Sequence, residues 1–117
     1  MSEKGLGVDI IEVSRFRKMP HVQHPDFYRN IFTKKELEYC LSKSDPYQHF
    51  AVRFAAKEAV AKATGKSVYD AKMIEITNNR DGRPIVSIRG KTDKKKVILS
   101  LAHTRDYAIA FALYLKK

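Results

Sequence analysis

The sequence predicts an α+β domain in which an N-terminal strand is followed by helices and then by antiparallel strands. Changes of period along the chain indicate this order. Apolar residues alternate with period two near the N-terminus and again from residue 73, whereas the segment 53–65 follows the 3.6-residue period of a helix. A chain of 117 residues has the usual size of one domain, which we place at 1–117.

The segment 5–11, Gly-Leu-Gly-Val-Asp-Ile-Ile, is predicted to form the first strand. One face carries Leu6, Val8 and Ile10, and the other face carries Asp9 beside glycines that leave room for it. A carboxylate buried alone in such a strand would cost several kcal/mol. Asp9 therefore needs a cation, a metal ion or strong hydrogen-bond donors. A simple pairing with a lysine, or a cap on the next helix, stays open as an alternative.

Two helical segments follow the strand. The segment 12–19 is predicted to be helical up to Pro20, which cannot continue a helix. Thr33 and Glu36 have the three-residue spacing of a capping box, in which each side chain accepts a hydrogen bond from the other residue's backbone N–H. We therefore predict a second helix over about 34–43.

A central helix is predicted from near 47–50 to Gly65, which is placed as its C-terminal stop. The helix has one apolar stripe, and most of the stripe is alanine, so a packing partner can approach it closely. The stripe consists of Val52, Ala56, Ala59, Val60 and Ala63.

Charged residues four positions apart share a flank of the central helix. Glu58 and Lys62 lie on one flank, and Arg53 and Lys57 lie on the other. One interpretation is a core helix with two solvated flanks and an ordinary surface ion pair, which is worth at most about 1 kcal/mol. The other interpretation is that Glu58 and Lys62 belong to a functional site together with Asp9. Periodicity alone favours the first interpretation.

The C-terminal half is predicted to consist of strands, at 73–77, 85–89, 97–101 and 107–115. An Asp-Gly turn at 81–82 joins the first two into a hairpin. The last strand is nearly all apolar and is predicted to be buried. The polar loop 102–106 contains His103, which is either a turn residue or a binding residue, because loops at strand ends often carry function.

The composition points to a polyanionic partner, since the formal net charge is +10. Apart from the lysine run 94–96, the charges are scattered, which favours several local anion sites over one basic tail. The single cysteine, Cys40, cannot form an internal disulfide and is predicted to be a packed thiol in a reducing compartment. No apolar run is long enough to span a bilayer, so we predict a cytoplasmic protein without a membrane partner.

Five stretches of the sequence together resemble a known family, and they are 5–12, 31–37, 53–65, 82–84 and 101–104. They read Gly-Leu-Gly-Val-Asp-Ile-Ile-Glu, Ile-Phe-Thr-Lys-Lys-Glu-Leu, Arg-Phe-Ala-Ala-Lys-Glu-Ala through Lys-Ala-Thr-Gly, Gly-Arg-Pro, and Leu-Ala-His-Thr. The chain resembles holo-[acyl-carrier-protein] synthase, the short bacterial class of 4′-phosphopantetheinyl transferases. The match runs nearly from end to end and keeps the order of the family.

The resemblance implies one domain of this type and a defined reaction. The family transfers 4′-phosphopantetheine from coenzyme A to a serine of apo acyl carrier protein and releases adenosine 3′,5′-bisphosphate, a step that serves fatty acid biosynthesis. The implied cofactor is Mg²⁺, which takes one or two carboxylates besides phosphate and water. Asp9 and Glu58 are the implied metal ligands, and together with Lys62, as a phosphate contact, they are the implied catalytic residues. The base for the serine proton stays open between Glu58 and a metal-bound water.

The resemblance also implies contacts with both substrates. The residues implied for coenzyme A are Arg53, Lys57, Lys62, Arg83, Pro84, His103 and Thr104. The acidic carrier protein would dock on the helix of Arg15, with Arg29 contributing. Family members are typically homotrimers with active sites between subunits. Two departures from the family pattern are Ala102, where a serine or threonine often precedes the histidine, and the short connection 66–70, which is a longer Gly-rich segment in many members.

Two other function classes fit parts of the sequence. A small basic nucleic-acid-binding protein fits the charge, and its aromatic residues would stack on bases. However, no recognised nucleic-acid-binding motif is present, and Asp9 would have no role. A magnesium-dependent phosphohydrolase would use the same carboxylates. The resemblance favours the transferase and predicts no nucleic-acid partner.

Overall fold

The computed structural model describes the ranges 3–66, 69–89 and 95–116. Residue 94 of the predicted lysine run, and residues 67 and 68 of the predicted connection, lie outside these ranges. The elements are β1 (Glu3–Glu12), α1 (Ser14–Arg17), α2 (Pro25–Ile31), α3 (Lys34–Leu41), α4 (Pro46–Ala63), the 3₁₀ turn η1 (Ala71–Met73), β2 (Ile74–Asn78), β3 (Pro84–Ile88), β4 (Lys95–His103) and β5 (Tyr107–Lys116). The predicted α+β class is confirmed.

The strands form two antiparallel sheets. The first has the order β1-β5-β4, and the second is the predicted hairpin of β2 and β3. In the first sheet Asp9 pairs in register with Ala110, which pairs on its other side with Leu101. Helix α4 packs on this sheet, mainly on β1 and β5.

Strand β1 and helix α4 are in backbone contact, as the alanine stripe predicted. A Cβ atom added to Gly5 would lie 1.8 Å from the carbonyl oxygen of Ala63, and one added to Gly7 would lie 2.0 Å from that of Ala59. Only glycine on the strand and small residues on the helix permit this approach. The contact places Asp9 directly against the C-terminal half of α4.

Both ends of α4 follow the local sequence signals. Asp45 is the N-cap, with its carboxylate accepting from the backbone N–H of Tyr47 at 3.3 Å, and Pro46 is the first helical residue. At the C-terminus Gly65 has φ of +79° and donates its N–H to the carbonyl of Lys62 at 3.2 Å. This is a Schellman motif. The predicted stop at Gly65 is confirmed.

The smaller helices differ in how well they were predicted. The capping box of Thr33 and Glu36 is present and starts α3, which confirms that prediction. Helix α1 covers only Ser14–Arg17, because β1 continues to Glu12 and stays paired with β5 up to that residue. The predicted helix over 12–19 is therefore too long. No helix was predicted from the sequence over the residues of α2.

Strand β5 is central in its sheet, and only one of its faces is buried. Alanines on the inner face pack beneath α4, whereas Ile109 and Phe111 on the other face are 40% and 45% exposed. The prediction of a fully buried strand is thus wrong for one face. The exposed large hydrophobic residues of this sheet, here called the outer face, are Leu6, Val8, Ile10, Ile98, Tyr107, Ile109 and Phe111.

Candidate active site

Asp9 and Lys62 meet where β1 crosses α4. The Lys62 Nζ atom lies 3.2 Å from Oδ1 of Asp9 and donates to the carbonyl oxygen of Val8 at 2.9 Å. The side chain of Asp9 is 18% exposed and that of Lys62 is 53% exposed. Asp9 is therefore paired with a lysine, as the alternative interpretation predicted, and the pair is accessible to solvent.

Glu58 lies in the same place but is not paired with Lys62. Its Oε2 atom accepts a hydrogen bond from the hydroxyl group of Tyr69. Among the ion pairs of the described residues, none joins Glu58 to Lys62, so the interpretation as an ordinary surface pair is wrong. Asp9, Glu58, Lys62 and Tyr69 are called the carboxylate cluster below.

The electrostatics of the carboxylate cluster are unbalanced. Burial raises the pKa of Asp9 above its usual value, and the negative charge of Glu58 raises it further. The hydrogen bond and charge of Lys62, and the charge of Arg15, oppose this rise without cancelling it. Burial, the hydrogen bond to Glu58 and the charge of Glu58 raise the pKa of Tyr69, so its hydroxyl group keeps its proton at neutral pH and acts as a donor. A cation at this place would relieve the repulsion between the two carboxylates.

The carboxylate cluster fits Mg²⁺ better than a metal bound by protein ligands alone. Within the described residues, no group of three or more histidine, cysteine, aspartate or glutamate side chains could hold a metal ion. Two carboxylates, however, are what Mg²⁺ takes from a protein when phosphate oxygens and waters supply the rest. Asp9 and Glu58 are thus suitable ligands only in company with a phosphorylated substrate.

A second group of polar residues lies near the N-terminal half of α4 and is called the basic cluster below. It consists of His49, Arg53 and His103. The imidazole rings of His49 and His103 are 5.4 Å apart, and the positive charge of Arg53 helps to lower the pKa of His49, after burial and His103. Arg53 is only 3% exposed. It lies over the ring of Tyr39 at 4.0 Å, and its Nε atom has no hydrogen-bond partner among the described residues.

The hairpin turn adjoins the basic cluster through Arg53. The Nη2 atom of Arg53 donates to Oδ1 of Asn78 at 2.6 Å, and Asn78 pairs in register with Pro84. Arg83, next to Pro84, has an 81% exposed side chain that lies 3.7 Å from Asp81. Arg83 is thus free to reach a ligand from the turn.

His103 and Thr104 are at the end of β4, and Thr104 builds the turn. Its hydroxyl oxygen accepts from the backbone N–H of Tyr107 at 3.1 Å. A small cavity of about 140 Å³ lies beside both residues and is also lined by Ile10 and Ile109 of the outer face. Thr104 is therefore a turn residue, and His103 beside it is exposed and contacts the ring of His49.

Lys57 lies in the interior and not in either cluster. Its side chain has no exposed surface, and its Nζ atom lies 2.8 Å from Oε1 of Glu36 and donates to the carbonyl oxygens of Ala71 and Ile74. The flank of α4 that carries Arg53 and Lys57 is buried, so the prediction of a solvated flank is wrong. Helix α3 and the hairpin cover this flank. The structure assigns Lys57 to the framework, since none of its atoms is accessible to coenzyme A.

One chain does not bring the two clusters together. His49 and Glu58 are nine positions apart, which corresponds to about 14 Å along a helix. Arg53 and Glu58 emerge on different flanks of α4. The predicted site residues therefore form two separate groups in the single chain.

The two arginines predicted to dock the carrier protein line different clefts. Arg15 stacks on Phe54 at 5.1 Å and lines a cleft of about 810 Å³ that also includes Ile10 and Met19. Its charge acts on Asp9, so this cleft lies beside the carboxylate cluster. Arg29 forms an ion pair with Asp26 and lines another cleft, of about 470 Å³, formed by α2, α3, η1 and Arg89, which follows β3.

Sequence reasoning missed two residues of these groups. Tyr69 is a lone tyrosine in a connection without periodicity, and no local signal indicates its contact with Glu58. His49 stands four residues before Arg53 on α4, and this spacing was a signal that went unused. Cys40, by contrast, is buried as predicted, and burial raises the pKa of its thiol to about 12.

The comparisons with known proteins identify the family. The family model of the 4′-phosphopantetheinyl transferase superfamily matches residues 5–112, and the chain belongs to this family. A holo-[acyl-carrier-protein] synthase from Chlamydia muridarum is 45% identical over 116 residues, covering 93% of this chain and 92% of the relative. One from Thermodesulfovibrio yellowstonii is 41% identical over 111 residues, covering 94% and 96%.

A solved structure agrees with these relatives. The holo-(acyl-carrier-protein) synthase from Bacillus anthracis, crystallised in complex with CoA (3′,5′-ADP), is similar with a TM-score of 0.83 and 30% identity, covering 97% of this chain and 96% of that one. The resemblance found in the sequence is confirmed, and the chain is an enzyme of the phosphopantetheinyl transferase type.

Proposed function

We propose that this enzyme transfers the 4′-phosphopantetheine group of coenzyme A to a serine of apo acyl carrier protein. The serine oxygen forms a bond to the phosphorus next to pantetheine, and the bond from that phosphorus to the bridging oxygen breaks. The bridging oxygen leaves with adenosine 3′,5′-bisphosphate, and the serine proton is lost to solvent in the net reaction. The observation that carries this proposal is the meeting of Asp9, Glu58 and Lys62 at the β1–α4 crossing.

The carboxylate cluster is suited to a diphosphate. Bound Mg²⁺, held by Asp9 and Glu58, would neutralise the charge of the diphosphate as the bond breaks. Lys62 is half exposed and has an ammonium group beside Asp9, so it can donate to a phosphate oxygen as a point charge. Positioning and charge stabilisation are then the main contributions of the protein to the rate.

The basic cluster and the hairpin turn are suited to the remaining phosphate and the adenosine of coenzyme A. Accessible contacts for this part of the ligand would come from Arg83, Pro84, His103 and Thr104. The buried side chain of Arg53 would add positive charge to the site. The complex of the Bacillus anthracis relative with CoA supports coenzyme A as the ligand.

Arg15 is the better of the two candidate contacts for acyl carrier protein. It is exposed, it lines a large cleft, and its charge reaches Asp9, so a carrier protein bound there would present its serine to the carboxylate cluster. Arg29 lines a different cleft and would contribute only as a secondary contact.

We further propose that three copies assemble through the outer face, so that the carboxylate cluster of one copy adjoins the basic cluster of another. The outer face exposes large apolar side chains in the single chain, Leu6 and Ile10 at 64% each, and such surfaces are typical of interfaces. Both the cavity at His103 and the cleft at Arg15 include Ile10 of this face. Assembly would thus bring together residues such as His49 and Glu58, which lie about 14 Å apart along α4 in one chain.

Mixing two inactive variants tests the shared site. Glu58→Ala removes a metal ligand and His103→Ala removes a coenzyme contact, so mixed trimers contain some sites in which both residues are intact. We expect the mixture to regain part of the activity after unfolding and refolding together. A fully active monomer by light scattering, or no recovery in a mixture that assembles normally, would contradict the proposal.

None of the described helices is long and apolar enough to cross a membrane. The cytoplasm stays the proposed location, on the ground of the single buried thiol.

The transfer itself is tested by mass spectrometry of the carrier protein. Incubation with coenzyme A, Mg²⁺ and apo carrier protein should add the mass of phosphopantetheine and release adenosine 3′,5′-bisphosphate in equal amount. Asp9→Asn serves as a strongly slowed control at short incubation times. Cleavage of coenzyme A without modification of the carrier protein would favour a phosphohydrolase, and a folded protein that does neither would refute the proposal.

A further inference from the structure

The hydroxyl group of Tyr69 contacts the carboxylate of Glu58 from a segment outside the helix. Tyr69 lies beyond the C-terminus of α4, and its hydroxyl donates to Oε2 of Glu58. Within the described ranges, it is the one hydrogen-bond donor to this carboxylate. Tyr69 also belongs to the connection in which the sequence departs from the Gly-rich pattern of the family.

The backbone after Tyr69 is hydrogen-bonded to α4 through Lys57, the residue next to Glu58. Lys57 donates to the carbonyl oxygen of Ala71 at 2.8 Å and also to that of Ile74. Asp70 caps the η1 turn, with its carboxylate accepting from the backbone N–H of Lys72 at 3.0 Å. Lys57 and Glu58 are adjacent in sequence, so one turn of α4 holds this segment both through its backbone and through the Tyr69 side chain.

This arrangement restrains a side chain that is otherwise mobile. A glutamate on a helix has three rotatable side-chain bonds and loses much rotamer freedom when it is ordered. Glu58 also faces a like charge, because its carboxylate raises the pKa of Asp9. A donor fixed to the framework holds the Glu58 carboxylate near Asp9 despite this repulsion, so its orientation is set before a metal ion binds.

We propose that Tyr69 is a positioning residue that orients the carboxylate of Glu58 for a divalent cation. The proposal rests on the proposed function of the carboxylate cluster. Hydrogen-bond partners of metal ligands typically contribute about 10- to 100-fold to metal affinity. Tyr69→Phe removes only the hydroxyl group and keeps the ring, which is half-buried.

Binding of Mn²⁺, measured by the electron paramagnetic resonance signal of the free ion, tests this role without turnover. The protein is titrated in the presence of coenzyme A and without carrier protein. We expect the dissociation constant for Mn²⁺ to rise about 10- to 100-fold in Tyr69→Phe. Tyr47→Phe is the matched control. The hydroxyl oxygen of Tyr47 accepts a hydrogen bond from the backbone N–H of His21 at 3.1 Å, and Tyr47 lies at the other end of α4. This control should bind Mn²⁺ like the wild type.

A double variant separates positioning from a general structural role. If Tyr69 acts through Glu58, Tyr69→Phe should weaken Mn²⁺ binding no further in a Glu58→Ala background. In the transfer assay, a raised Mg²⁺ concentration should restore the kcat of Tyr69→Phe. A general structural role would instead lower the melting temperature and resist rescue by Mg²⁺.

The outcomes distinguish the two proposals. Loss of Mn²⁺ binding in Asp9→Asn with unchanged binding in Tyr69→Phe would overturn the role of Tyr69 and leave the proposed metal site intact. Wild-type protein that does not bind Mn²⁺ at all would overturn both. Equal weakening in Tyr69→Phe and Tyr47→Phe would also overturn the positioning role.

Discussion

Helix α4 carries two lysines that make similar ion pairs in very different surroundings. Lys57 lies 2.8 Å from Glu36, and both side chains are completely buried. Lys62 lies 3.2 Å from Asp9, with side chains that are 53% and 18% exposed. The residues are five positions apart on one helix, yet one pair faces the framework and the other faces solvent.

The difference lies in how completely the charges and hydrogen-bonding groups of each pair are satisfied by protein partners. Lys57 has two carbonyl acceptors besides Glu36, and Glu36 accepts from the backbone N–H groups of Thr33 at 2.8 Å and Ile76 at 2.7 Å. This pair joins α3, α4 and β2 and leaves no group for a ligand. Asp9 has one lysine, a second carboxylate beside it, and a raised pKa. Incomplete neutralisation of charge, and not the ion pair itself, distinguishes the proposed functional site from the buried pair.

The largest effect is expected from breaking the exposed pair. Asp9→Asn and Lys62→Ala should each lower kcat/KM for holo carrier protein formation about 1,000-fold, which corresponds to about 4 kcal/mol of transition-state stabilisation. Asp9→Asn should regain part of its activity at raised Mg²⁺, because it loses metal affinity. Lys62→Ala should not regain activity, because in the proposed function its charge acts on the phosphate. Steady-state kinetics over a range of Mg²⁺ concentrations measure this.

Glu38→Gln is the matched control for these variants, since Glu38 is an exposed carboxylate on α3. It should keep the wild-type rate. Near-normal turnover in Asp9→Asn would contradict the proposal that the exposed Asp9–Lys62 pair is functional and the buried Glu36–Lys57 pair is structural.

The buried pair should instead govern stability. Lys57→Met leaves Glu36 charged and unpaired in the interior, and we expect a loss of about 3–5 kcal/mol in the free energy of unfolding. The molecules that remain folded should still turn over. The double variant Lys57→Met/Glu36→Gln should recover part of the loss, because an uncharged amide is cheaper to bury. Urea denaturation measures both, and a loss below about 1 kcal/mol for Lys57→Met, the range of an exposed pair, would contradict the framework role.

The smallest effect is expected at a third ion pair, between Arg17 and the N-cap of α4, Asp45, at 2.8 Å. The guanidinium group of Arg17 holds the pKa of Asp45 below its usual value of 3.8. A lowered folded-state pKa contributes stability that is present above the unfolded pKa and is lost as the pH falls through the folded pKa. Asp45→Asn should therefore cost about 0.5–1 kcal/mol at neutral pH, since the pair is about one-third exposed.

This cost should shrink as the pH falls below 3.8, and unfolding curves at several pH values measure it. A difference between Asp45→Asn and wild type that does not change with pH would assign the effect to the helix cap alone.

Several features could be predicted from the sequence because short-range physics decides them. The two faces of β1 follow from the alternation of side chains along a strand, and the capping box follows from a three-residue spacing. The C-terminus of α4 follows from the ability of Gly65 to adopt a positive φ. The alanine stripe also indicated a close partner, although it did not say which strand that partner would be.

The surroundings of the charged side chains could not be predicted from the sequence and were seen only in the tertiary structure. Arg53 and Lys57 have the same spacing on α4 as Glu58 and Lys62, so periodicity cannot tell a buried flank from an exposed one. Helix α3 and the hairpin decide this by covering one flank. The exposed outer face of β5 escaped prediction for a similar reason, since an apolar strand has the same composition whether one face or both are covered within the chain.

By itself, the sequence determined the order of the strands and of helices α3 and α4, the N-terminus of α3, the C-terminus of α4, and the chemical types of the candidate site residues. Only the tertiary structure decided that Lys57 is framework and Lys62 is accessible, that Tyr69 contacts Glu58, and that the two predicted groups of site residues lie apart. The physical reason is the range of the interactions. Caps, turns and strand faces depend on neighbours a few residues away, whereas the burial and the pairing of a charge depend on segments that are distant in the chain and meet only when it folds.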